Sequence, residues 1–357
     1  MRFALSEDQL LLQDSLRKAL AALAPLERVR RFADEDEASA PDIWAGLTEL
    51  GLPGLLIPEA HGGLGLGLLE AALAAEALGR AVAPTPFLGS AVLAPLALTL
   101  AGTPEQQARW LPKLAAGEVT AGVAVAEPIA GARDGAGVAA EGGRLTGKSM
   151  FAIGAQGSDL LIVADRDGGL HLAQQAEAVE PMPTIDATRR LQEIVFRDTP
   201  AEPLASNGAL ARLRDAAWTV LAADTLGAGE AMLEKAVQYA KERRQFGRVI
   251  GSFQAVKHLC AEMAAELEPA RALVWYAAYA FDRAPEDASL MAAHAKAHTG
   301  EIGRFVARTA TEVHGGIGIT DLLGLHYWFK RIGLNRQLLG SPERARETAA
   351  KLQGLAA

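Results

Sequence analysis

The densest chemistry in the sequence lies between Gly227 and His258, GAGEAMLEKAVQYAKERRQFGRVIGSFQAVKH. Arg243, Arg244, Arg248 and Lys257 gather positive charge there, in a chain whose 43 Asp and Glu outnumber its 35 Lys and Arg. Gly247 and Gly251 bracket a tight turn between two helices, and Phe246 stands beside the arginines. Guanidinium groups give fixed donors for phosphate oxygens, and a helix start gives bare backbone N–H groups, so this combination suits a pyrophosphate. The same residues also read as a solvated, charged helix end.

A second stretch, His314-Gly315-Gly316-Ile317-Gly318, closes a long helix. Its glycines permit positive φ and close backbone approach, and a plain helix C-cap would use them the same way. No strand precedes it, so it is not the glycine fingerprint of a doubly wound dinucleotide fold. The chain has no HExxH, nucleophile elbow or carboxylate dyad. His61 and His326 read as loop and interface residues, and His171 as a solvent-facing position on a β-hairpin.

The elements that must position these residues fall into three parts. In the first, Ser6 with Gln9 and Thr103 with Gln106 form capping boxes, the second with Pro104 at the first helical position. Leu12, Leu16, Leu20 and Leu23 recur at helical spacing, and a Gly/Pro-rich loop from Gly51 to Gly67 leads into Ala/Leu helices. From Thr120 the period changes to two: TAGVAVA, GRLTGKSMFAI, DLLIVAD and LQEIVFRD read as strands, with Asp165–Gly169 a hairpin turn. Asp198–Gly208 reads as a linker. Helical periodicity then returns, with apolar faces carrying Met232, Leu233, Ala236, Val237 and Ala240, then Val256, Leu259, Met263, Leu267 and Ala270, then Ile302, Val306, Ala310 and Val313. Long helices of this kind pack as an antiparallel bundle. The expected architecture is α+β and mostly α: an N-terminal helical domain (1–118), a small β domain (119–206) and a C-terminal helical bundle (207–357).

Composition closes off several functions. The 357 residues are 50% hydrophobic and 22% charged, a globular balance, with a core built from Ala and Leu because aromatics are only 5%. A net charge of -8, with the five tryptophans not interleaved among basic residues, argues against nucleic acid. One cysteine, Cys260, excludes an intrachain disulfide and a cysteine-based zinc site, and reads as a small buried hydrophobe. The longest apolar run, Phe87 to Gly102, is too short for a membrane span and contains Pro95. With no signal-peptide pattern at the N-terminus, a soluble cytoplasmic protein is expected.

Taken together, the stretches resemble the acyl-CoA dehydrogenase family over nearly the whole chain. Thr103–Glu118 resembles the helix preceding that family's β domain, and AEPIAG (Ala126–Gly131) its TEPxAG signature. YAKERRQFG (Tyr239–Gly247) resembles YAxxRxQFG, FQAVKH (Phe253–His258) the helix that follows, and HGGIGIT (His314–Thr320) the C-terminal HGGxGxT. The resemblance implies a helical domain, a β domain and a four-helix bundle, with FAD as cofactor. It implies oxidation of an acyl-CoA thioester between Cα and Cβ, a glutamate taking the α proton, and an electron-transfer flavoprotein as acceptor. It further implies that the ADP half of FAD is held by Arg243, Phe246, Gln254, Gly315, Gly316 and Gly318, across a subunit interface from the flavin ring.

Departures from the pattern limit what carries over. The usual position of the glutamate, counted from Arg331, is Gly340; the minority position is Ala217, beside the bulky Trp218. No catalytic residue is assigned. The threonines that hold the flavin ring fall at Ala126 and Ile153, and the Gln before the glycine loop is Glu312. The ring side is eroded while the ADP side is kept. The resemblance is closest to the short subunits of heteromeric acyl-CoA dehydrogenases acting on steroid or other bulky acyl-CoA thioesters, with LHYWFKR (Leu325–Arg331) in that branch's style. It implies an α2β2 assembly with a glutamate-bearing acyl-CoA dehydrogenase. Two alternatives stay open: a homo-oligomeric enzyme with a displaced base, for which Asp215 and Glu343 read as solvated surface carboxylates, and an FAD-free scaffold or CoA-thioester binder.

Overall fold

The computed structural model describes residues 4–35, 37, 39–205 and 208–356. Six helices open the chain: α1 Glu7–Leu23, α2 Leu26–Asp34, α3 Pro41–Thr48, α4 Leu68–Arg80, α5 Ala94–Ala101 and α6 Pro104–Ala115. Both capping boxes form. Ser6 Oγ accepts from Gln9 N–H at 3.2 Å, and Thr103 Oγ1 accepts from Gln106 N–H at 3.3 Å. The run from Phe87 to Ala101 is a buried π-helical turn continuing into α5. Among the described residues no helix is long and apolar enough to cross a membrane.

The middle of the chain is one eight-stranded sheet. Its strands are β1 Ala121–Ala124, β2 Gly137–Glu141, β3 Arg144–Ile153, β4 Leu160–Ala164, β5 Leu170–Ala173, β6 Ala178–Met182, β7 Leu191–Pro200 and β8 Glu202–Pro203. The order is β6-β7-β3-β1-β4-β5-β8, with β2 paired to β3; β1 and β4 run parallel and the other pairs antiparallel. Two sequence readings are corrected here. The stretch read as a linker from Asp198 is strand as far as Pro203, because β8 pairs with β5, and residues 206 and 207 lie outside those described. His171 does not face solvent: it is largely buried, and its Nε2 meets Asp165 Oδ2 at 2.7 Å across the hairpin turn. Of the run TAGVAVA, β1 takes Ala121–Ala124, and Ala126 instead opens a short helix, α7 Ala126–Ala130.

The last part is α8 Ala209–Glu242, a hairpin of β9 Arg244–Gln245 and β10 Arg248–Val249, α9 Gln254–Arg283, α10 Pro285–His314, the short α11 Gly316–Ile319, α12 Leu325–Gln337 and α13 Pro342–Leu352. Helix α10 packs against α8, α9, α12 and α13. Of the residues expected on the inner faces, Met232, Ala236, Ala240, Met263, Leu267, Ala270, Ile302, Val306, Ala310 and Val313 are buried, while Leu233, Val237, Val256 and Leu259 are half-buried. Helix α4 is laid onto α8 at backbone contact distance. A Cβ on Gly79 would lie 2.0 Å from the Asp224 carbonyl oxygen, and one on Gly227 would lie 1.8 Å from that of Glu76. Only glycine fits either point, and this crossing fixes the N-terminal helices against the bundle.

Candidate functional site

Helices α8 and α10 run the same way, so their C-terminal ends lie together. The rings of Tyr239 and His314 stack with centroids 4.8 Å apart and bring the residues after α8 beside the glycine loop after α10. The β9–β10 turn is a two-residue loop with positive φ at both Phe246 (51°) and Gly247 (76°). That geometry matches the strand twist and swings the Phe246 ring outward, where it is 91% exposed and packs edge-on to Phe253, 6.2 Å away. Arg248 lies over the Phe253 ring at 4.0 Å. Among the described residues, no carboxylate lies within salt-bridge distance of Arg243, Arg244, Arg248 or Lys257.

The glycine loop beside this patch is open. A Cβ on Gly315 or Gly316 would meet nothing within 4 Å, so a group can approach the backbone closely there; the Gly315 amide already donates to the Glu312 carbonyl oxygen at 2.9 Å. Gly318 is different: a Cβ there would sit 2.8 Å from His314 Cβ and from the Thr311 carbonyl oxygen. Burial pushes the His314 imidazole below its usual range, and its Nδ1 is 2.7 Å from the Ala310 carbonyl oxygen. Gln254 opens α9 at the surface. Guanidinium groups with no carboxylate partner among the described residues, an exposed aromatic ring, an open glycine backbone and a helix start thus share one end of the bundle, and they fit a pyrophosphate carrying an aromatic base. Glu312 is exposed beside them with no arginine or lysine partner among the described residues.

The flavin-ring side fits far less well. Ala126 and Ile153 are buried and carry no hydroxyl. Glu127, in the same segment, is already occupied, accepting from Ser149 Oγ at 2.7 Å and from the Met150 amide at 2.6 Å. At the two glutamate positions the structure shows a plug. Ala217 and Trp218 are fully buried, the Trp218 indole N–H donates to the Leu339 carbonyl oxygen at 2.7 Å, and Gly340 adopts φ +112°.

Neither substitute carboxylate is placed to act. Asp215 is not solvated, correcting the sequence reading: it is fully buried and held by Arg214 at 2.8 Å and by the Ser289 hydroxyl. Glu343 is exposed and pairs with Arg336 at 3.1 Å. Among the described residues no cluster of His, Cys, Asp and Glu could hold a metal. Cys260 is half-buried, and burial raises its thiol.

Sequence reasoning missed a cavity of about 380 Å³ where the N-terminal helices, the sheet and α8 meet. Its polar corner is a buried network. Arg331 donates to Asp186 at 2.7 Å, to Asp224 at 3.2 Å and to Thr188 Oγ1 at 2.6 Å. Asp224 also accepts from Asn335 at 2.6 Å and from Arg189 at 3.1 Å. Burial opposes the charge on both arginines. At Arg331, Asp186 and Asp224 more than offset it; at Arg189 burial prevails and the guanidinium is pushed down. Behind the network Lys296, fully buried, donates to the carbonyl oxygens of Asn335 and Leu338, and burial brings it down to about 7. The signal for Asp224 was present: a lone carboxylate in the apolar run LAADTLGAG has to find a buried partner.

A helical domain, a central sheet and a helical bundle with one end that fits a pyrophosphate are the arrangement of a protein of the acyl-CoA dehydrogenase type. The family described as "Acyl-CoA dehydrogenase, N-terminal domain" matches residues 6–118, and "Acyl-CoA dehydrogenase, C-terminal domain" matches 210–353. The chain belongs to the acyl-CoA dehydrogenase family, a family of FAD-dependent oxidoreductases. It is 33% identical to acyl-CoA dehydrogenase IpdE2 of Mycolicibacterium smegmatis, over 98% of this chain and 100% of that one. It is 35% identical to IpdE2 of Mycobacterium tuberculosis, over 97% and 96%. Among solved structures, the steroid ACAD Tcur3481–Tcur3483 superposes with a TM-score of 0.88 at 30% identity, over 98% of both chains. The ChsE4–ChsE5 complex of Mycobacterium tuberculosis superposes with a TM-score of 0.91 at 25% identity, over the whole of both chains.

Proposed function

We propose that this chain is the non-catalytic subunit of a heteromeric acyl-CoA dehydrogenase acting on a steroid-derived or similarly bulky acyl-CoA, and that it completes the FAD site of a glutamate-bearing partner. The observation that carries the reading is the split between the two ends of α8. The end at Arg243 keeps what an ADP moiety needs, while at Trp218 the space between the two base positions is filled. Asp224, on the cavity, and Arg243 stand roughly 28 Å apart along the helix at about 1.5 Å per residue. The cavity and the Arg243 end are thus well separated, and in this reading Arg243, Phe246 and the glycine loop serve a ring seated in a neighbouring chain.

In this assembly Arg243 and Arg248 would neutralise the pyrophosphate, the glycine loop at Gly315 and Gly316 would let it approach the backbone closely, and Phe246 would cover the adenine. Gln254, at the start of α9, supplies a further donor. Bound FAD supplies hydride acceptance from the acyl β carbon. The α proton goes to the partner's glutamate, since this chain presents no base at Gly340 or Ala217. Electrons leave to an electron-transfer flavoprotein. The names of the relatives support the substrate class and the paired assembly, ChsE4–ChsE5 being a complex and Tcur3481–Tcur3483 a steroid ACAD. The division at residues 118 and 206 is part of the same proposal.

The test is the FAD-to-chain ratio and solution mass of the chain purified alone and after mixing with a glutamate-bearing acyl-CoA dehydrogenase. Little FAD alone, restored together with activity on mixing, is the expected outcome. One FAD per chain in a homo-oligomer that turns over an acyl-CoA by itself would overturn it.

A further inference from the structure

Resting on the pyrophosphate placement proposed above, we infer that His314 is a positioning residue for the ADP half of the cofactor: its ring joins the last turn of α8 to the last turn of α10 and so sets the gap between Arg243 and the glycine loop.

Arg243 follows α8 and Gly315 follows α10. Helix ends fray, because their last carbonyl groups have no partner further along the helix. A phosphate gripped between two such ends needs both held at one separation, and a misplacement of about 1 Å in a positioned group can cost about a hundredfold.

On the α8 side the link is backbone. The Arg243 amide donates to the Tyr239 carbonyl oxygen at 2.8 Å, and the Arg243 carbonyl oxygen accepts from the Ile250 amide at 2.7 Å. The hairpin is thereby closed onto the end of the helix. A Cβ on Gly251 would lie 2.8 Å from the Ala240 carbonyl oxygen, so the far side of the hairpin is seated on the same turn. Whatever holds Tyr239 therefore holds Arg243.

On the α10 side the glycine loop folds over His314 itself. The Gly318 amide donates to the Gly315 carbonyl oxygen at 3.0 Å, and a Cβ on Gly318 would come within 2.8 Å of His314 Cβ. The two sides meet at the His314 ring, which stacks on Tyr239 with an interplanar angle of 28° and is only 5% exposed. A carbonyl oxygen can only accept, so Nδ1 carries a proton and donates it to Ala310 at 2.7 Å. That bond fixes the ring plane, and the ring plane fixes the stack. Burial holds the imidazole below its usual range, with the Lys235 ammonium adding to the effect. The ring is therefore neutral at neutral pH and brings no charge of its own to the phosphates; it acts through Tyr239 and Gly318.

The test is FAD titration, read by quenching of flavin fluorescence, on whichever species binds it, the mixed pair or the chain alone. Each variant is measured at a temperature where circular dichroism shows it folded. His314→Ala is expected to weaken FAD about tenfold or more, and His314→Phe, which keeps a ring against Tyr239, about twofold or less. Tyr239 is half-buried, and Tyr239→Leu is expected to reproduce the loss should His314→Ala not fold. A double-mutant cycle separates positioning from general loosening. If His314 places Arg243, its removal in an Arg243→Met background has less left to disturb, and its effect falls to about threefold or less. An undiminished loss in that background, or equal losses from His314→Ala and His314→Phe, would overturn the role. The two proposals fail separately. Arg243→Met weakening FAD while His314→Ala and Tyr239→Leu do not would overturn the positioning role and leave the pyrophosphate placement standing. FAD affinity unmoved by Arg243→Met and by His314→Ala would overturn both.

Discussion

The ring of Trp218 stands 3.6 Å from the point where a side chain on Gly340 would begin, and its indole N–H holds the carbonyl oxygen of Leu339 at 2.7 Å. The residue beside one family base position therefore fills the space at the other. A glutamate returned to position 340 would have to adopt φ +112°, a region costing non-glycine residues about 1–3 kcal/mol, and push the indole aside as well. Gly340→Glu is expected to lower stability by about 2 kcal/mol or more in urea denaturation. It is also expected to confer no dehydrogenation on the chain alone. Turnover by that single variant would show that the base position is open after all.

The plug also depends on its hydrogen bond. Trp218→Phe keeps most of the ring but leaves the buried Leu339 carbonyl oxygen without its donor, a loss of about 1–3 kcal/mol. Trp218→Ala removes the ring as well and is expected to cost about 3–5 kcal/mol. If the indole is a structural plug, both variants, once mixed with a glutamate-bearing partner, still restore FAD binding. Loss of FAD binding at a temperature where the variant is folded would instead place Trp218 in the cofactor site.

Much of this architecture is legible in the sequence because its signals are local. Ser6 and Gln9 lie within one turn and cap the first helix whatever surrounds them, and the Asp165–Gly169 turn does the same for its hairpin. The end of the β domain was misread at Asp198–Pro203, since Pro and Ala there look like linker until β5 offers an edge to pair with. The cluster proposed to hold a pyrophosphate is visible in the sequence because Arg243, Phe246 and Gly247 are consecutive or nearly so. The cavity was not: its corner joins Thr188, Asp224 and Arg331, residues far apart in the chain whose meeting depends on how α4, α8 and α12 cross. Asp215 was misjudged for a related reason. A carboxylate near a helix start looks solvated until Arg214 and Ser289 close over it.

Lys296 gives the chain a pH dependence of defined sign. Its ammonium is buried behind the network, donating to Asn335 and Leu338 carbonyl oxygens, with Arg189 and Arg336 adding repulsion. Its folded-state value is about 7, against 10.5 for the free side chain. The unfolded chain therefore binds this proton more tightly. The contribution of Lys296 to stability rises as pH increases from about 7 to 10.5 and is flat below that window. Lys296→Met is expected to remove this rise, so that the stability difference between variant and wild type narrows as the pH goes from 7 to 10. A difference independent of pH in urea titrations across that range would mean that Lys296 keeps its proton in the fold.

Glu312 is the one carboxylate beside the glycine loop that works against a bound pyrophosphate. It is exposed, has no cationic partner among the described residues, and its own carbonyl oxygen accepts from the Gly315 amide at 2.9 Å. The side chain thus leaves the same short turn that leaves the backbone at Gly315 and Gly316 open to close approach. An exposed like charge at this range costs a few tenths to about 1 kcal/mol at low salt. Glu312→Gln is accordingly expected to raise FAD affinity in the assembled pair by roughly two- to fivefold, read by quenching of flavin fluorescence. The gain should shrink at 1 M salt, where the Debye length falls to about 3 Å. Arg243→Met, on the other side of the phosphates, is expected to lower affinity more than tenfold, because a charge-assisted contact to phosphate contributes about 1.5–3 kcal/mol. Opposite signs for these two variants in the same titration are what a pyrophosphate between α8 and α10 requires. If both leave FAD affinity unchanged, the adenine half of the cofactor does not lie at this end of the bundle.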